Sequence, residues 1–180
     1  MADITTKGMS QSDLVTLLDR TMGTMWLPAG AFVQSTDTDV EVGSSIPSAK
    51  SFDTGADENA CVNIYIKDDV DCTLPMSIYI YYSVVSTSGT IMFDIDYIAR
   101  ESDEDVGVTV SSIAGTAVET GSTADALEIS SAYTLPADAC ENGDILFLNI
   151  RRDITEDDAS GDADMYGVRI EYTTRPEISS

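Results

Sequence analysis

The sequence predicts an all-β chain, an antiparallel two-sheet sandwich of jelly-roll type with about eight strands and a short N-terminal helix or arm. Three observations lead there. From about residue 30 onward, apolar and polar residues alternate with a period of two, whereas helical spacing is confined to the first two dozen positions. The alternating runs are separated by turn-forming clusters such as Ser86-Thr-Ser-Gly89 and Glu141-Asn-Gly-Asp144. Two long spacers, 35–60 and 111–126, suit crossings between sheets better than hairpin turns, which favours a Greek-key layout over a meander.

In chain order, residues 10–22 come first. Ser12 can cap a helix on which Leu14, Leu17, Leu18 and Met22 share one face, and Gly23 is placed to end it. One short helix cannot bury such a stripe alone, so it either lies on its own sandwich or anchors the chain to another subunit or partner. The division that follows is an arm at 1–30 and a sandwich at 31–180.

A first strand is expected near Ala31–Gln34. Val62, Ile64 and Ile66 then alternate with Asn63, Tyr65 and Lys67, and Met76, Ile78, Ile80, Tyr82 and Val84 with Ser77, Tyr79, Tyr81 and Ser83. Ile91, Phe93, Ile95 and Tyr97 oppose Asp94, Asp96 and Arg100, and Val106, Val108 and Val110 form a further alternating run. Strands are also expected at Leu127–Tyr133, Ile145–Arg152 and Tyr166–Tyr172. The run Ile145–Ile150 is apolar on both faces, which places it centrally in a sheet or against a subunit interface.

A chain of 180 residues matches one domain, able to bury roughly 70% of its unfolded surface. Apolar residues are spread along it rather than gathered, which argues against both disorder and a membrane span. The start, Met-Ala-Asp-Ile-Thr-Thr-Lys, lacks a basic region followed by an apolar segment, so no secretory signal is expected and the chain stays in the cytosol that makes it unless lysis releases it. A net charge of −23, from 32 acidic against 9 basic residues, repels phosphate backbones and excludes nucleic acid as a partner.

The absence of histidine removes Ser-His-Asp hydrolysis, His-ligated zinc and imidazole acid–base catalysis. Cys61, Cys72 and Cys140 have no Cys-x-x-Cys spacing, so buried free thiols are expected rather than a zinc site or a disulfide framework. The acidic segments Glu156–Asp164 and Glu101–Asp105 raise calcium, but neither follows the EF-hand pattern, and solvated loops are the better reading; no cofactor is expected. Asp94 and Asp96 stand roughly 7 Å apart on one strand face, a separation usable for glycoside hydrolysis. Simple alternation on an exposed face also produces that pair, and without an aromatic cleft the chain is read as a non-enzyme.

Tyr79 and Tyr81, with Tyr65 as a neighbour across the sheet, can form an aromatic row that holds a sugar ring or a second subunit. Covering of that row by the N-terminal segment with Trp26 and Leu27 is an equally plain alternative. Arg151, Arg152 and the outward Arg169 are expected in ion pairs, within the chain or between subunits.

The Gly143-Asp144 turn, the apolar strand closing on Arg152-Asp153, and Gly161-Asp162-Ala163 followed by Tyr166-Gly167-Val168-Arg169-Ile170-Glu171-Tyr172 resemble the C-terminal strands of β-sandwich virion proteins of tailed bacteriophages, among capsid decoration, neck and fibre components. The resemblance is close over about thirty residues and looser over the strand layout and Trp26-Leu-Pro-Ala-Gly30. It implies a non-enzymatic virion protein, made in the host cytoplasm, that decorates and stabilises the head shell as a homo-oligomer, with a trimer favoured. The partner would be the major capsid protein or another virion protein, reached through Leu14, Leu17, Leu18 and Trp26. A tail or neck fibre domain that binds a cell-surface glycan through Tyr65, Tyr79 and Tyr81 is the alternative.

Overall fold

The computed structural model describes residues 21–34, 49–55 and 58–175. Its strands are β1 (Met22–Pro28), β2 (Val33–Gln34), β3 (Lys50–Phe52), β4 (Asn59–Tyr65), β5 (Met76–Val84), β6 (Thr90–Ile91) and β7 (Phe93–Arg100). They continue with β8 (Ser111–Ile113), β9 (Val118–Glu119), β10 (Glu128–Ile129), β11 (Tyr133–Leu135), β12 (Ile145–Arg152) and β13 (Ala163–Thr173). A single 3-10 turn at Ala29–Ala31 is the helical element among the described residues.

Two antiparallel sheets face one another. In the first, β13 pairs along one edge with β5 and along the other with β1 and, further on, β3. The outer edge of β5 is completed by β11 and β10. The second sheet runs β2-β4-β12-β7-β8, and β6 pairs with β9 as a separate two-stranded ribbon. The connections from β4 to β5, β5 to β7, β11 to β12 and β12 to β13 all change sheet, which gives the fold its jelly-roll character.

The period-two pattern explains which side chains meet. Ile78, Ile80 and Tyr82 of β5 and Met165, Val168 and Ile170 of β13 point inward onto Leu146, Leu148 and Ile150 of β12 and Phe93 and Ile95 of β7. Each fully buried Ile or Leu contributes about 1.5–3 kcal/mol by leaving water. Phe93 sits edge-on to both Phe52 and Tyr82, with ring centroids 5.8 and 5.4 Å apart, so the aromatic centre of the core joins both sheets. β12 is indeed central, between β4 and β7.

Of the charged residues in the interior, one is wholly enclosed. Arg152, at 0% exposure, donates to both carboxylate oxygens of Asp157 and to the carbonyls of Phe52, Ala159 and Gly161, so its charge and donors are answered within the chain. That contact folds the acidic loop after β12 back over the sandwich end.

Several expectations are corrected. Met22 and Gly23 do not finish a helix but open β1, because the exposed edge of β13 offers a full ladder and Gly23 leaves room for the ring of Tyr172 opposite it. Met22–Pro28, ahead of residue 31, is therefore part of the sandwich. Val106, Val108 and Val110 are exposed and in no strand: the pairing of β7 with β8 stops at Tyr97 and Ser111, just short of them. The 111–126 stretch contributes β8 and β9 instead of serving only as a crossing. The run 127–133 is broken at Ser130, whose Oγ accepts the Ile80 N–H in place of a ladder carbonyl, so β10 and β11 pair with β5 separately. Leu14, Leu17 and Leu18 of the expected helix and most of the 35–60 spacer lie outside the described residues.

Candidate functional site

The outer face of the first sheet carries an aromatic cluster built by register. Arg169 of β13 stands between Trp26 of β1 and Tyr79 of β5, so three side chains form one row across three strands. In the next row Gly167 stands between Pro28 and Tyr81. Glycine there is a steric requirement, since a Cβ would fall 2.5 Å from the Leu27 carbonyl oxygen and 2.6 Å from the Trp26 ring. The bulge between Met165 and Gly167 brings this position beside Tyr81.

The indole of Trp26 is laid over that gap. Its ring meets Tyr81 edge-on, with centroids 5.1 Å apart and planes at 87°, and the residue stays 49% exposed. The guanidinium carbon of Arg169 lies 4.4 Å from the centre of the Tyr79 ring and 5.7 Å from that of Tyr81. Nη1 of Arg169 is 3.4 Å from Glu171, while its Nε is buried without a hydrogen-bond partner. Arg169 thus spaces the two tyrosines and holds a cation under their rings. Polar groups frame the cluster: Thr24, Glu171 and Ser77 make one adjoining row, and Tyr166 shares a 2.9 Å hydrogen bond with Ser83 at the other side.

The sequence-level candidates separate here. Tyr79, Tyr81 and Trp26 are brought together. Tyr65 is not their neighbour: it belongs to β4 of the opposite sheet, beside Ile145, because β4 and β5 are joined by a crossing rather than a hairpin. Its own outer face also holds Ile98 and Phe147, which stand opposite one another, with Asn63 beside Phe147. Leu14, Leu17 and Leu18 lie outside the described residues. Trp26 is part of the sheet face rather than of a detached arm.

Asp94 and Asp96 are occupied by internal partners. Asp94 takes Arg151 at 2.8 Å and the Gly115 N–H at 2.8 Å, and Asp96 accepts from Ser112 and from Asn149. Neither faces a cleft as a free acid or base. The acidic loops are tied down likewise: Asp157 holds Arg152, and Asp158 accepts from both the backbone N–H and the hydroxyl of Thr90, which keep its carboxyl below the usual range. Among the described residues no group of three or more Cys, Asp or Glu side chains is arranged to hold a metal ion.

Arg169 and Gly167 were the members of the cluster that sequence reasoning did not assign to it. Their alternation with Val168 and Ile170 signals an outward face, but only the register of β1 and β5 against β13 shows which aromatics they meet.

No protein-family model matches the chain, and no curated protein matches it in sequence. Among solved structures it is similar to the C-terminal family 6 carbohydrate-binding module of LamC, a marine laminarinase from Zobellia galactanivorans, at 14% identity and TM-score 0.46 over 82% of this chain and 98% of that one. A family 35 carbohydrate-binding module from Clostridium thermocellum is similar at 7% identity and TM-score 0.48, over 82% of this chain and 97% of that one. A third is the enzymatically active domain of tailspike protein 4 from bacteriophage CBA120, at 10% identity and TM-score 0.38, where the match spans 87% of this chain but 20% of the other. The sandwich itself is read from the strand pairing.

Proposed function

We propose that this chain is a non-enzymatic glycan-binding sandwich and that the Trp26, Tyr79 and Tyr81 face is where the sugar lies. The observation that carries this reading is a half-exposed indole, seated over a glycine and braced by Tyr81 and Arg169, on a sheet face whose rim is polar. A pyranose has an apolar face of C–H groups and an edge of hydroxyls. The rings take the former, and the indole N–H with Thr24, Ser77 and Glu171 of the adjoining row take the latter. The surrounding charge of −23 opposes polyanionic chains, so neutral hexose polymers are the expected class.

An open, shallow face of this kind binds weakly, with a dissociation constant on the order of 0.01–1 mM. Glycan-array screening followed by calorimetry on the hits, with Trp26→Ala and Tyr79→Ala/Tyr81→Ala proteins alongside, tests the proposal. Binding that survives all of these substitutions removes the face from consideration.

Head decoration, implied by the phage resemblance, is a separate reading. It needs residues 1–34 to reach a capsid protein, with the virion as location and a trimer as the assembly. Of the residues it assigns, Trp26 is the one within the described portion, and its ring is engaged with Tyr81. Sedimentation with undecorated heads, with and without residues 1–20, tests that reading independently.

A further inference from the structure

Cys72 and Cys140 lie 68 positions apart in sequence, yet their sulfurs are 3.2 Å apart and both residues are buried, at 5% and 4% exposure. Each belongs to a loop that carries the chain from one sheet to the other: Cys72 lies between β4 and β5, and Cys140 between β11 and β12. The two crossings run side by side at one end of the sandwich. The Asp138 N–H donates to the Cys72 carbonyl, Gly143 N–H to Ile66, and Asn142 Nδ2 to the carbonyls of Lys67 and Val70. The first crossing is also bound to the end of β13 and the residues just after it, through Asp71 N–H to Thr173 and Arg175 N–H to Asp69. Cys61 is elsewhere, on the outer face of the second sheet, with its thiol directed to Asn149.

We infer that Cys72 and Cys140 form a structural disulfide when the chain folds or resides in an oxidising setting, and that this bond staples the two sheet crossings together. The geometry requires only a short closing movement between sulfurs already in contact, on loops already held together by these hydrogen bonds. The chemistry is thiol–disulfide exchange with a small-molecule disulfide such as oxidised glutathione. One cysteine thiolate attacks it and releases one glutathione, and the second thiolate then displaces the other. Two S–H bonds are lost from the protein, one S–S bond forms, and the two protons end on two molecules of reduced glutathione.

Burial raises the pKa of both thiols and so suppresses the attacking thiolate in the closed fold, with the effect larger at Cys140. Formation therefore belongs to folding, or to an opening of the two loops, rather than to the closed sandwich. The bond would close a ring spanning β5 to β11, long enough for cross-linking to restrict the unfolded chain strongly. The inference is independent of any sugar on the aromatic face.

The test is to unfold the full chain with reductant and refold it in a mixture of reduced and oxidised glutathione. Titration should then find one free thiol in the parent protein and none in a Cys61→Ser variant, and a non-reducing peptide map should join the Cys72 and Cys140 peptides. Adding reductant should lower the melting temperature by about 5–10 °C in both proteins. A Cys72→Ala/Cys140→Ala protein should not respond to reductant. Three free thiols after refolding, a cross-link through Cys61, or a melting point indifferent to reductant would each overturn the inference.

Discussion

Trp26 stands edge-on to Tyr81 at 5.1 Å between ring centroids, with its indole lying over Gly167. Two residues 55 positions apart in sequence are thus fixed against each other by a third strand that passes between theirs. Trp26 is the chain's one tryptophan, so its fluorescence reports on this contact alone.

Gly167→Ala should disturb that contact directly. The added methyl meets the Leu27 carbonyl and the Trp26 ring, so the edge strand must shift or the indole must lift. A loss of about 1–3 kcal/mol in denaturant unfolding is expected, with a red-shifted Trp26 emission as the ring gains water. Unchanged emission would mean that the indole does not rest on the glycine.

Arg169→Met retains the packing length of the side chain and removes its charge. Stability should change little, since the Glu171 contact is part-exposed and Nε has no partner to lose. If the tyrosine faces owe their position to the cation, affinity for a bound glycan should fall by about 3- to 10-fold in calorimetry.

Tyr65→Ala serves as the opposite control. Its ring is 56% exposed on the other sheet, so glycan binding should stay within about twofold of the parent value. A loss confined to this variant would move the site to the face that holds Phe147 and Ile98.

Asp157→Asn should be among the most damaging single changes. It strips the partner from a guanidinium with no access to water, and about 3–5 kcal/mol of stability should go with it. Arg152→Met/Asp157→Leu, which removes both charges, should recover much of that loss in a double-mutant cycle.

Alkaline pH should weaken the fold through Tyr82 and Tyr133. Burial pushes both phenols well above the ordinary tyrosine range, with Glu128 adding to the effect on Tyr82 and Asp94 to that on Tyr133. The unfolded chain therefore loses these protons first, so stability is complete below about pH 10 and declines as pH rises beyond it. Urea midpoints measured at about pH 8 and pH 11 should show the fall. Tyr133→Phe should make it shallower, at a cost near 1 kcal/mol at neutral pH for the lost 2.8 Å hydrogen bond to the Phe93 carbonyl.

The strands that were legible in advance share one property: one face of each is buried, so the alternation Met76, Ile78, Ile80, Tyr82, Val84 or Ile91, Phe93, Ile95 is imposed by packing and appears in the residues themselves. Val106, Val108 and Val110 show the same alternation without a strand, because a local pattern does not by itself bring a neighbouring strand into pairing. Met22 and Gly23 show the converse. Met22 stands at helical spacing and Gly23 at a helix stop, yet the ladder along β13 supplies both with backbone hydrogen bonds that a short isolated helix could not match.

The sequence by itself determined an acidic, histidine-free sandwich: charge, composition and period-two alternation are properties of residues in order, and they act wherever the chain goes. Only the tertiary structure decided that Tyr65 leaves Tyr79 and Tyr81 for the other sheet, that Trp26 and Arg169 join them, and that Cys72 meets Cys140. The reason is that face and sheet are different variables. Alternation tells which side of a strand a residue occupies, whereas the sheet to which that strand belongs depends on long-range pairings between segments far apart in the chain, whose closure no local pattern records.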